Sequence, residues 1–260
     1  MKAEILIRIL SAYVYAVFPY LCFFFAIVKP SREHGIGRNL LIGAIGGTAM
    51  FCIVAHSVSR INFNAYNTLH MILSVMATAA LLIAWLLSRD NSGAWRIRKR
   101  DIAVAAIMIL ALVVRVIPLL VGNESLGGGD ARFHNFLAKG IITYERLPDT
   151  WQPAAAIRVM YPRGSHVLIS FIASKAQCDV HHAFNLILAI VGALTTGMIY
   201  LLAVTIFGSR KSAFFAATSY GFIAYWGSLD YFRWGGLPNA MAMLFLCLFF
   251  FCILQNQQGS

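Results

Sequence analysis

Asp130 and His134 stand four residues apart directly after three glycines, Gly127, Gly128 and Gly129. On a helix that spacing puts a carboxylate and an imidazole on one edge. Such a pair can act as a general base or bind a divalent metal. The glycines allow backbone conformations closed to other residues, and Asp130 then opens a helix expected from Ala131 to about Gly140. Asp130 therefore also reads as the helix N-cap, and His134 as a surface hydrogen-bonding group. Phe133, Phe136, Leu137 and Ile141 line the adjoining face, which suits a helix lying on a membrane surface.

Two further clusters carry cations and aromatic rings. Tyr161-Pro162-Arg163-Gly164-Ser165-His166 forms a turn that starts a short apolar run. Arg163 and His166 are expected at headgroup level, where they either meet a lipid phosphate or anchor the chain. Trp151, Arg158 and Tyr161 read as anchors of the same kind. Asp230, Tyr231, Arg233 and Trp234 precede Gly235-Gly236-Leu237-Pro238, the start of a helix whose free N–H groups can receive an anion.

The elements that must position these residues are set by composition. Charged residues make up 12% of the 260 and hydrophobic ones 60%, with mean hydropathy +0.73. A soluble domain carries about a quarter charged residues, so the solvent is lipid. Most of the long uncharged runs exceed the roughly 18 residues that mark a membrane helix. The net charge of +11 is spread over helix ends rather than gathered in one patch, which excludes nucleic acid and fits anionic headgroups. Cys22, Cys52, Cys178, Cys247 and Cys252 show no metal spacing and no disulfide framework.

Seven spans are expected in an all-α polytopic fold. An N-terminal part, 1–100, carries three, at 9–28, 40–59 and 65–87. A second part, 101–260, holds the span 102–121, an outer loop 122–182 with an interfacial helix 164–175, and the spans 183–207, 212–228 and 236–254. The basic clusters Lys29, Arg32, Arg38 and Arg89, Arg96, Arg98, Lys99, Arg100 are cytoplasmic by the positive-inside rule. The amino terminus and the Asp130 loop are then outside. The run 164–174, about eleven residues, is too short to cross. Reading it as interfacial or re-entrant returns Arg210 and Lys211 to the cytoplasm and brings 229–236 to the same outer face as Asp130. Arg115, inside a span, is either functional or a snorkelling surface residue. His56 and His70, on apolar faces, read as packed or hydrogen-bonded groups.

The order GGDARFHNFLAKG, then YPRGSHVLISFIA, then AVTIFGSRKSAFFAA, over about residues 100–240, resembles the GT-C superfamily of integral-membrane glycosyltransferases. The resemblance implies a polyprenyl-phosphate-linked sugar donor and a glycan, lipid or protein acceptor on the outer face. It also implies an integral protein of a prokaryotic plasma membrane. Asp130, with His134, would deprotonate the acceptor hydroxyl or hold a metal, Mg or Mn. Arg163, His166 and Arg233 would hold the donor phosphate. Arg132, Tyr161, Asp230 and Trp234 complete the expected substrate-binding set. The chain departs from the family in its single acid, Asp130 being followed by Ala131, in three extra leading spans, and in only three crossings after the loop. It ends at QNQQGS soon after an apolar helix, as the N-terminal part of a longer enzyme would. Two other readings stand beside this one. A transporter or lipid flippase would use Arg115 in an internal pathway. A non-catalytic membrane subunit would use the outer loop to dock a partner.

Overall fold

The computed structural model describes residues 1–27, 36–60, 62–87, 99–121, 128–150, 156, 158, 163–223 and 236–258. Those residues form helices α1 (Ala3–Ile27), α2 (Ile36–Ser59), α3 (Phe63–Leu87), α4 (Lys99–Leu120), α5 (Gly128–Tyr144), α6 (Gly164–Ala176), α7 (Val180–Phe207), α8 (Arg210–Phe222) and α9 (Leu237–Gln258). Among the described residues the fold is all-helical, and five helices are long and apolar enough to cross a membrane: Ala3–Phe25, Gly37–Ser59, Asp101–Leu120, Val180–Phe207 and Leu237–Gln257. The spans expected at 65–87 and 212–228 are not among the five. The first coincides with α3. The second begins in α8, whose 13 residues rise about 20 Å against a hydrocarbon core of about 30 Å.

Helix α7 is the hub. It is apolar on all sides, and 83% of its most apolar window is buried, as expected of a helix ringed by others. Helices α4, α5, α6, α8 and α9 all pack on it. Helices α1 and α2 meet along a small-residue seam. A Cβ on Gly47 would come within 2.8 Å of the Leu21 backbone nitrogen, so the two backbones can approach only because that side chain is missing.

Contacts at the helix ends fix the chain directions. At one end the Met1 amino group donates to Leu119 O at 2.6 Å, so α1 starts where α4 finishes. The same end joins the α2–α3 turn to the tail of α5, through Phe63 N to Glu145 O (2.7 Å) and Leu147 N to Ser59 O (3.1 Å). At the opposite end Arg38 donates to Gln255 Oε1 at 2.7 Å and lies over the Phe251 ring, and Gly37 abuts Asp101. Helices α2 and α4 therefore run toward the α5 end, while α1 and α9 run away from it.

Arg115 is 1% exposed. Its guanidinium donates to Ala111 O on its own helix and to Gly221 O in the last turn of α8 at 2.9 Å. The last carbonyls of a helix have no partner within it, and lipid offers none. Arg115 supplies a charged donor there, so it does not snorkel to the surface. Gly192 on α7 makes the room, since a Cβ would sit 2.7 Å from Arg115 Nε. Replacing Arg115 with Leu orphans the Gly221 carbonyl and is expected to cost about 1–3 kcal/mol. A lowered Tm in detergent, reproduced by Gly192→Val, would check it; an unchanged Tm in both variants would refute the capping role.

Candidate functional site

Helices α5 and α6 lie parallel and in register. His134 Nδ1 meets His166 Nε2 at 2.9 Å, and one turn on the Ser170 hydroxyl donates to Ala138 O at 2.8 Å. Both links join residues 32 apart in sequence. A further turn along, Ile142 and Ser174 line one cavity. A spacing of four residues on each helix returns to the same edge, so each turn of α5 rests on one turn of α6.

The two imidazoles are 3% and 0% exposed, and Phe184 of α7 stacks on His134 with ring centroids 6.1 Å apart. A nitrogen-to-nitrogen hydrogen bond needs one N–H and one lone pair, so at least one ring of the pair is neutral. Burial pushes the His134 pKa below the ordinary imidazole value, and the negative charge of Asp130, one turn earlier on α5, draws it part of the way back. A neutral imidazole close to a carboxylate is a competent proton acceptor.

This geometry changes several sequence expectations. The helix begins at Gly128 and runs to Tyr144, longer at both ends than expected. Asp130 lies in its first turn rather than ahead of it. His134 and His166 are buried against each other, not spread over a surface or at headgroup level, because α6 is enclosed by α1, α2, α5 and α7. The face expected to lie on the membrane divides in two. Phe133, Phe136 and Tyr144 are exposed, while Leu137 and Ile141 turn into the core. Arg132 is exposed beside Phe133. Arg158 is exposed too, pairing with Thr150 in an isolated bridge. His70 is packed and hydrogen-bonded as expected, its Nε2 donating to Tyr15 O at 3.1 Å and its ring enclosed by Phe51, Tyr66 and Phe171. Tyr161, Asp230, Tyr231, Arg233, Trp234 and Trp151 lie outside the described residues.

The first turn of α6 also lines a cleft of about 550 Å³ between α2 and α9. Its walls are largely apolar, with Cys52, Ile53, Met241 and Phe245 among them. His56, Ser57, Arg163 and Ser165 are its polar lining residues. Arg163 donates to Pro148 O at 2.8 Å and is 3.5 Å from the Asp149 carboxylate. His56 Nδ1 and Ser165 Oγ are shielded from solvent and have no hydrogen-bond partner among the described residues. Nothing in the sequence marked His56 or Ser165 for such a place, since His56 read as a packed group on an apolar face and Ser165 only as part of the turn before the short apolar run.

Fold and site together define a polytopic helical membrane protein with a buried histidine pair beside an amphipathic cleft. No known protein family, no characterised protein and no solved structure matches the chain.

Because the folded state holds His134 below its unfolded pKa, the unfolded chain binds more protons as the medium acidifies. The stability owed to the neutral ring is full above the ordinary imidazole range. It falls as pH drops through that range, and levels off below the depressed folded value. The Tm of the wild type is therefore expected to fall between pH 8 and 5 by more than that of His134→Gln. Parallel curves for the two proteins would show that His134 is not the titrating group.

Proposed function

We propose that the protein is a membrane glycosyltransferase of the GT-C kind, or the N-terminal part of one, that takes a polyprenyl-phosphate-linked sugar. One observation carries the reading: the apolar cleft between α2 and α9 is lined by Arg163, His56 and Ser165, and the last two each hold a shielded polar atom with no hydrogen-bond partner among the described residues. A buried polar group left unpaired costs free energy, so such a site suits a ligand with a polar head. The apolar walls suit a hydrocarbon chain entering from the bilayer. His166 follows Ser165 directly and reaches His134, so the ligand head would lie next to the histidine pair.

In this reading Asp130 and His134 take the proton from the acceptor hydroxyl, which belongs to a glycan, a lipid or a protein. Its oxygen bonds to the anomeric carbon as the bond from that carbon to the phosphate oxygen breaks. Polyprenyl phosphate leaves, its charge offset by Arg163 and by Arg233 from the segment before α9. Arg132, His166, Tyr161, Asp230 and Trp234 complete the substrate-binding set. His134 Nδ1 is engaged by His166, so a metal at Asp130 and His134 would use Nε2. The proposal keeps seven spans and puts the α5 end of the bundle outside a prokaryotic plasma membrane. The shared end found for the α2–α3 turn, the tail of α5 and the finish of α4 supports that parity.

Thermal stabilisation by polyprenyl phosphate, set against a phospholipid of matched charge, tests the reading. A ligand at a hundred times its Kd stabilises by about 2.7 kcal/mol. The expected result is a selective shift, lost in Ala242→Trp, which fills the cleft, and weakened in Arg163→Ala. Equal response to both lipids would refute it. Asp130→Asn is expected to keep the lipid shift while abolishing transfer, and unchanged turnover would remove Asp130 from the chemistry.

A further inference from the structure

The start of α7 gathers Asp179, its N-cap, with His181 and His182 of its first turn. Their ligand atoms all lie within 4.8 Å of one another, and no other group of three such residues does so among the described residues. The two imidazole rings have centroids 3.9 Å apart, tilted by 47°.

Asp179 occupies the N-cap of α7, the place where an aspartate ordinarily accepts a hydrogen bond from the first turn. It makes no such bond. Only its backbone carbonyl engages the turn, accepting from His182 N at 3.0 Å and Ala183 N at 3.4 Å. Its carboxylate is instead placed with the two imidazoles. The turn itself is held open by Gln177, whose left-handed backbone (φ 50°) ends α6. Asp179 and His182 also line a cavity of about 470 Å³ with Ser174, Gln177 and Cys178. The site therefore opens onto space for water and further donors.

We infer that Asp179, His181 and His182 bind a single divalent transition-metal ion at the α6–α7 junction. Two imidazoles and one carboxylate suit zinc-like ions, which prefer nitrogen ligands, over magnesium or calcium, which prefer an all-oxygen shell. The carboxylate supplies the negative charge that offsets the positive end of α7. Three protein ligands leave at least one position open toward the cavity. The ion would sit on the first turn of α7, at the opposite end of α6 from His166. It is thus separate from the histidine pair and from the cleft between α2 and α9.

The test uses the full chain in detergent, stripped with a chelator and titrated with zinc chloride against a chromophoric competitor, with magnesium chloride in parallel. The expected result is one zinc per chain, a rise in Tm of several degrees on loading, and no response to magnesium. His181→Ala and His182→Ala should each weaken binding by more than the roughly 10- to 100-fold that loss of an outer-shell partner costs. Asp179→Asn, which keeps the option of capping α7, should weaken it while leaving the metal-free Tm unchanged. Absence of saturable zinc binding would overturn the assignment. So would zinc affinity that stays the same in the His181→Ala/His182→Ala double variant.

Discussion

Inside a bilayer a backbone carbonyl or amide must find its partner within the protein, because lipid has nothing to offer it. Long helices meet this demand along their length and fail it only at their ends, which reach water or headgroups. Helix α8 ends after 13 residues, and its last turn relies on the guanidinium of Arg115. Helix α6, also of 13 residues, is closed by Gln177, whose N–H reaches Ala173 O and Ser174 O. The packing of α4 and α7 around Arg115 follows from that demand, including the bare backbone of Gly192.

The same constraint shapes the candidate site. Enclosing α6 between α1, α2, α5 and α7 leaves its inward polar side chains to find a partner or to line a cavity. Ser170 spans to α5, His166 takes His134, and Ser165 and Arg163 turn to the cleft. Each of these side chains is thus committed either to holding α5 or to facing the cleft. That division places a proton-accepting pair and an amphipathic groove on consecutive residues of one short helix.

Much of the architecture was legible in the sequence, because apolar run length and the sign of loop charges are direct consequences of the bilayer. The short run after Gly164 could be denied a crossing on length alone, and it forms a helix of 13 residues. The histidine pair was not legible as a pair. His134 and His166 were each singled out, but 32 residues and a polar loop separate them, and no periodicity reveals which turns of two different helices touch. Arg115 was flagged by its cost in lipid, yet its use depended on where α8 stops. His181 and His182 passed unnoticed because adjacent histidines next to an apolar run show no ligand spacing. Their convergence depends on Asp179 declining the cap.

The register between α5 and α6 works as a ladder whose rungs are one turn apart. A helix rises about 1.5 Å per residue, so α5 cannot sink or lift by a single residue without breaking the His134 and Ala138 rungs together. Its outward face carries the exposed rings of Phe133, Phe136 and Tyr144. The position of those rings along α6 and the distance between two imidazole nitrogens are therefore a single mechanical coordinate.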